Sequence, residues 1–273
     1  MLANERLSED KGLAPAFVAM RSRLPLVILL VVFAGVGWLW TARQMQGMDN
    51  GPWTSLGAVG WFLGIWVVMM AAMMFPSMAP TVALYSRMTR KRSLQLPIVF
   101  TGGYLVTWAA AGAVAFALVA GVGHISDNAL AWNRAGRPVA GTILILAAFY
   151  QLTPLKDACL GKCRSPLGLL LGSWRDGRAG AFQMGARNGA WCVGCCWALM
   201  ASLFALGVMS VAWMVLVAGL ITMEKTIPRR AVATYGTALI LLGLGVLLLI
   251  EPSAIPLLTI PQGPAGNMPS MGS

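Results

Sequence analysis

The sequence predicts an all-α protein, a polytopic transmembrane bundle of about seven helices with its N-terminus inside and its C-terminus outside. Three observations lead there. The composition is 58% hydrophobic against 11% charged, with mean hydropathy +0.73, which leaves too little polar surface to clothe a soluble globule. Apolar runs of about 20 residues, the length needed to cross a hydrocarbon core of roughly 30 Å, recur along the chain. Lys and Arg gather in alternate loops, as they do on the cytoplasmic face of a membrane. Disordered, collagen-like and ordinary cytosolic proteins are excluded by the same composition.

The expected spans, in order, are 24–42, 58–86, 97–121, 138–156, 189–207, 208–226 and 232–250. In lipid each backbone polar group must find its partner inside the segment, so each run is read as a helix. The fifth and sixth are separated at Gly207, because one helix over 189–226 would reach about 57 Å, roughly twice the core. Between the fourth and fifth spans, residues 157–187 include PLGLLLGSW, too short to cross and read as an interfacial helix or shallow re-entrant turn. Residues 1–23 are expected to be a cytoplasmic leader. Their Glu5, Glu9 and Asp10, and the lack of a small-residue cleavage site after Trp40, argue against a signal peptide. The tail, 251–273, is rich in Pro, Gly and Ser and is expected to be disordered on the outer side. No sustained repeat is evident.

With the N-terminus inside, 17 of the 20 basic residues fall on cytoplasmic segments, and only Arg43, Arg134 and Arg137 fall outside. The net charge of +11 then places a positive face against anionic lipid, and no nucleic-acid partner is needed to explain it.

Sulfur is the unusual feature: 17 Met and 5 Cys beside one His. In the second span WVVMMAAMMFPSMAP stacks Met69 with Met73, Met70 with Met74, and Met74 with Met78, since side chains four apart share a helical face. Pro76 removes a backbone donor and should loosen the helix there, freeing local carbonyls and the Ser77 hydroxyl. Such methionines alone more often serve as adaptable filler. Their meaning comes from the cysteines. CLGKC, with Cys159 and Cys163, follows the fourth span, and WCVGCCW opens the fifth with Cys192, Cys195 and Cys196 at i, i+3 and i+4 on one stripe. All five thiols belong to the cytoplasmic half, a reducing compartment that favours metal ligation over structural disulfides. Glu224, in MEKTIP, is the only acid of the sixth span, readable as a ligand or gate, or as an ion pair with Lys225 or Arg229.

Depth brings these together, because the second, fourth and sixth spans end inside and the fifth begins there. Met73, Met74, Met78, Cys159, Cys163, Cys192, Cys195, Cys196 and Glu224 are therefore the candidate metal ligands. Thioether and thiolate donors favour Cu(I), with Zn(II) next. Met45 and Met48 in the first outer loop form a weaker soft pair. A lone His124 excludes a bis-His haem site. The Gly168/Gly172 and Gly185/Gly189 spacings fit close helix contacts.

The same motifs resemble the bacterial predicted metal-binding integral membrane proteins of unknown function. The resemblance is carried by WVVMMAAMMFPSMAP, YQLTPLKDACLGKCRSP, and the run from NGAWCVGCCWALM through GVMSVAW to MEKTIP, and it covers most of the chain from Trp61 to Pro228. It implies that the paired Met segment, the Cys-x-x-x-Cys pair, the Cys-x-x-Cys-Cys group and the Glu-Lys pair of MEKTIP form one functional unit, which points to Met73, Met74, Cys159, Cys163, Cys192, Cys195, Cys196 and Glu224. The chain departs from the pattern at Asn188, where a His is common, and at Ser210, where Asn is usual.

Three functions follow as expectations. The first is a multi-pass protein of the bacterial inner membrane that accepts, transfers or transports Cu(I), working with a membrane or soluble metal-accepting protein. The second is a membrane thiol-disulfide oxidoreductase using Cys159/Cys163 and Cys192/Cys195. The third is a non-catalytic metal-delivery subunit of a membrane complex. Binding is a better fit than catalysis, and the sequence carries no nucleotide loop for ATP-driven pumping.

Overall fold

The computed structural model describes residues 21–22, 24–44, 58–90, 93, 95–125, 137–172, 174–206, 210–227 and 230–251. Among them all regular structure is helical: α1 Leu24–Gln44, α2 Val59–Met88, α3 Leu96–Ile125, α4 Arg137–Gln151, α5 Pro154–Arg164, α6 Pro166–Leu171, α7 Gly177–Leu206, α8 Val211–Thr226 and α9 Arg230–Ile250. Most of the leader and tail, Met45, Met48, Gly207, Arg229 and the side chain of His124 lie outside the described residues.

Five of these helices are long and apolar enough to cross a membrane, or six if the bent pair α4–α5 is one span. Seven crossings were expected. The sixteen residues of α8 rise only about 24 Å, less than a hydrocarbon core, and α4 stops early. The stop has a local cause. Pro154 lacks an N–H and pushes Thr153 out of the helical region, and Thr153 instead caps α5, accepting a hydrogen bond from Lys156 N at 3.3 Å. The chain turns by 67° there. Residues 157–187 accordingly hold most of α5, all of α6 and the first turns of α7. Helix α7 starts at Gly177, whose φ of 80° suits a residue without Cβ.

Helix α2 is continuous through Pro76 and Pro80. The Ser77 hydroxyl donates to Met74 O at 2.9 Å beside the proline. Trp66 joins α2 to α3 by donating to Trp108 O at 2.9 Å, and stacks on Phe204 of α7. Tyr150 joins α4 to α7 by donating to Gly194 O at 2.6 Å. On the outside, α1, α3 and α9 expose Phe33, Leu39, Val114, Leu118, Val232 and Leu239, a large apolar surface compatible with a membrane protein.

The closest helix contact is α3 on α7. A methyl group at Gly185 would collide with Phe100 O, one at Gly103 with Phe182 O, and one at Gly189 would stand 3.0 Å from Tyr104 O. The glycines thus let two backbones touch, and Thr107 Oγ1 donates across the seam to Ala186 O at 3.1 Å. Gly185→Ala is expected to cost about 1–3 kcal/mol through overpacking and to lower the thermal midpoint in detergent. Gly35→Ala in α1, with nothing within 4 Å, is the neutral control.

Candidate metal centre

The site is built from one stripe of α7 and single side chains from four neighbours. A helical turn of 3.6 residues puts Cys192, Cys195 and Cys196 on one face. Their sulfurs lie within 4.8 Å of one another, all three residues buried. Cys195 and Cys196 Sγ are 3.3 Å apart, and Cys195 also donates to Cys192 O at 3.2 Å. From α5, Cys163 Sγ comes to 3.7 Å from Cys195 Sγ. From α2, Met74 Sδ stands 3.9 Å from Cys192 Sγ. From α3, Tyr104 Oη lies 3.1 Å from Cys192 Sγ. From α8, Lys225 Nζ donates to Cys192 Sγ at 3.1 Å and Ser77 Oγ at 3.2 Å, and lies 4.0 Å from Met74 Sδ.

All five cysteines are free thiols. A metal–thiolate bond of about 2.3 Å in trigonal geometry separates its sulfurs by about 4.0 Å. The 3.7 and 3.9 Å approaches between helices are near that spacing. Four thiols and a thioether therefore form a soft donor set that one ion can draw together with small side-chain adjustments.

The other expected ligands are placed as follows. Cys159 is buried one turn before Cys163, its sulfur against Gly194, where a Cβ would come within 2.9 Å. Gly194 thus makes room for that thiol. Met73 and Met78 are buried in α2 on either side of Met74, which makes the contact to Cys192. Glu224 is turned to a different partner. Both its oxygens accept from Lys156 Nζ, at 2.7 and 2.6 Å, in a pair only 1% and 2% exposed. Arg164 adds hydrogen bonds to Glu224 O at 2.9 Å and Ile227 O at 2.7 Å. The ion pair expected with Lys225 or Arg229 is therefore made with Lys156, while Lys225 goes to the sulfurs. Successive residues on α8 are rotated by about 100°, so Glu224 and Lys225 face different neighbours.

Sequence reading missed Tyr104, gave Lys156 and Arg164 no part in the site, and brought in Lys225 only beside Glu224, not against the sulfurs. The available signal was burial: a Lys in an apolar span needs a compensating partner. Asn188 is buried one turn before Cys192, and Ser210 caps α8 by position without a side-chain bond to it.

A family model described as a copper chaperone, PpoB2, matches residues 63–248, from the start of α2 almost to the end of α9. No curated protein and no solved structure matches. The match covers more than half of the chain and includes every cysteine, so the chain belongs to that copper chaperone family.

Proposed function

We propose that this member of the copper chaperone family is an integral protein of the bacterial inner membrane that holds one Cu(I) at its sulfur cluster and passes it to an acceptor protein. The observation that carries the reading is the convergence of Met74, Cys163 and the Cys192/Cys195/Cys196 stripe, from three helices, at sulfur separations of 3.3 to 3.9 Å. The donor set favours soft metals. Thiols with a thioether suit Cu(I), and Zn(II), which thiolates also hold, ranks second because a thioether is a poor ligand for it. The one His, His124, is twenty residues beyond Tyr104 on α3, about 30 Å along the axis.

The chemistry is ligand exchange. A thioether carries no charge and binds more weakly than a thiolate, so an ion met by Met74, with Met73 and Met78 in the same segment, moves downhill onto Cys192 and then shares Cys195, Cys196 and Cys163, each thiol that binds giving up its proton to solvent. The bundle sits with its N-terminus and its cysteines on the cytoplasmic side, supported by the distribution of basic residues. Transfer outward from the cluster proceeds the same way, one ligand replaced at a time by those of a soluble or membrane acceptor.

The test is metal content. Full-length protein purified in detergent under reducing conditions and exposed to Cu(I) is expected to retain about one ion per chain after desalting, and to prefer it over Zn(II). Absence of stoichiometric copper and zinc overturns the proposal. In vesicles, binding without movement of copper across the membrane assigns it to delivery and not transport. A thiol-disulfide oxidoreductase is the second reading, favoured by the 3.7 Å approach of Cys163 to Cys195. Reversible two-electron oxidation of metal-free protein would support it.

A further inference from the structure

Lys225 is a half-buried cation, and among the described residues no carboxylate is paired with it. Its neighbour Glu224 is taken at both oxygens by Lys156. Among the described residues its polar contacts are Cys192 Sγ at 3.1 Å, Ser77 Oγ at 3.2 Å and Met74 Sδ at 4.0 Å. It thus points at the gap between the thioether of α2 and the first thiol of α7. These are the two sulfurs between which an arriving ion would be shared.

We infer that Lys225 is a specificity-determining residue that makes the sulfur cluster a site for monovalent soft ions and disfavours divalent ones. The inference rests on the reading of the cluster as a metal site and adds to it the selection of ionic charge. An ion bonded to Cys192 at about 2.3 Å is at most about 5.4 Å from the ammonium, whatever its direction. Both kinds of ion are repelled at that range, but the second charge of a divalent ion is repelled once more. In a buried site that extra interaction is well over one decade in affinity. Softness alone does not achieve this separation, because thiolates bind soft divalent ions tightly too. The ammonium therefore supplies a discrimination that the sulfurs lack. It also compensates the negative charge of a Cys192 thiolate once a monovalent ion is bound, by donating a hydrogen bond to it.

The experiment compares Ag(I) with Cd(II), two soft ions of the same electron count that differ by one charge. Equilibrium dialysis against a competing thiol chelator gives the affinity of full-length, reduced, detergent-solubilised protein for each. Lys225→Gln removes the charge while keeping a group able to bond Ser77, and Lys225→Arg keeps the charge. The Cd(II)-to-Ag(I) affinity ratio is expected to rise at least about tenfold in Lys225→Gln and to stay within about twofold of wild type in Lys225→Arg. A general loss of thiolate character lowers both affinities and cannot by itself raise the ratio, because Cd(II) draws on at least as many thiolates as Ag(I). An unchanged ratio in Lys225→Gln, with both ions still bound, overturns the inference while leaving the metal site intact. Failure of the wild type to bind either ion overturns the metal site itself and the inference with it. Should Lys225→Gln fail to fold, Lys225→Leu serves in its place, with the same rise required.

Discussion

Replacement of Cys192, Cys195 and Cys196 together by serine is expected to take copper retention from about one ion per chain to less than about a tenth, measured by elemental analysis after desalting. Serine keeps the size of the side chain and replaces a soft donor by a hard one, so the loss reads ligation and not packing. The fold is expected to survive. A serine inside a helix can donate to the carbonyl four residues back, as Ser202 already does to Ala198 O at 2.9 Å in α7. A serine at 196 has Cys192 O available in the same way. The single variants should grade the site. Cys195 is 3.3 Å from Cys196 and 3.7 Å from Cys163, so Cys195→Ser disturbs most of the donor set. Cys159→Ser should cost least, because that sulfur packs against Gly194. A triple variant that still holds a full equivalent of copper would remove the cluster as the binding site.

The part of this arrangement legible in the sequence is the part governed by helical periodicity. Spacings of three and four fix a shared face whatever surrounds the helix, so the cysteine stripe of α7 and the place of Met74 on α2 followed from position alone. Where a Pro meets a capping Thr the outcome was also written locally, yet an apolar run across Thr153–Pro154 reads as one continuous span by hydropathy. The helix start at Gly177 was hidden for the opposite reason. Residues 177–188 are polar enough to look like a loop, and they are helical because Gly185 and Gly189 let α3 come against them. Partner choice among charged residues was the least legible. Whether Glu224 meets Lys225, Arg229 or Lys156 depends on how α8 is rotated against α5, and no spacing within α8 encodes that.

Loss of the Glu224 carboxylate tests whether this residue is a ligand or a strut. Lys156, in the first turn of α5, meets its carboxylate, and Arg164, at the other end of α5, meets its backbone carbonyl and that of Ile227. Helix α5 is thereby fastened to the end of α8 at both of its own ends. Cys163, the residue before Arg164, is the one that α5 presents to Cys195. Glu224→Leu leaves a buried ammonium unpaired and is expected to destabilise the protein by about 3–5 kcal/mol, seen as a lower thermal midpoint in detergent. Copper affinity should fall as well, because α5 is no longer held in register. The double variant Lys156→Leu/Glu224→Leu removes both charges, and its stability is expected to return to within about 1 kcal/mol of the parent, since a well-packed apolar pair can replace a buried ion pair. Copper retention should return with it if Glu224 acts by holding α5. If Glu224 were itself a ligand, the double variant would regain stability while remaining unable to hold copper, and the two roles separate on that one measurement.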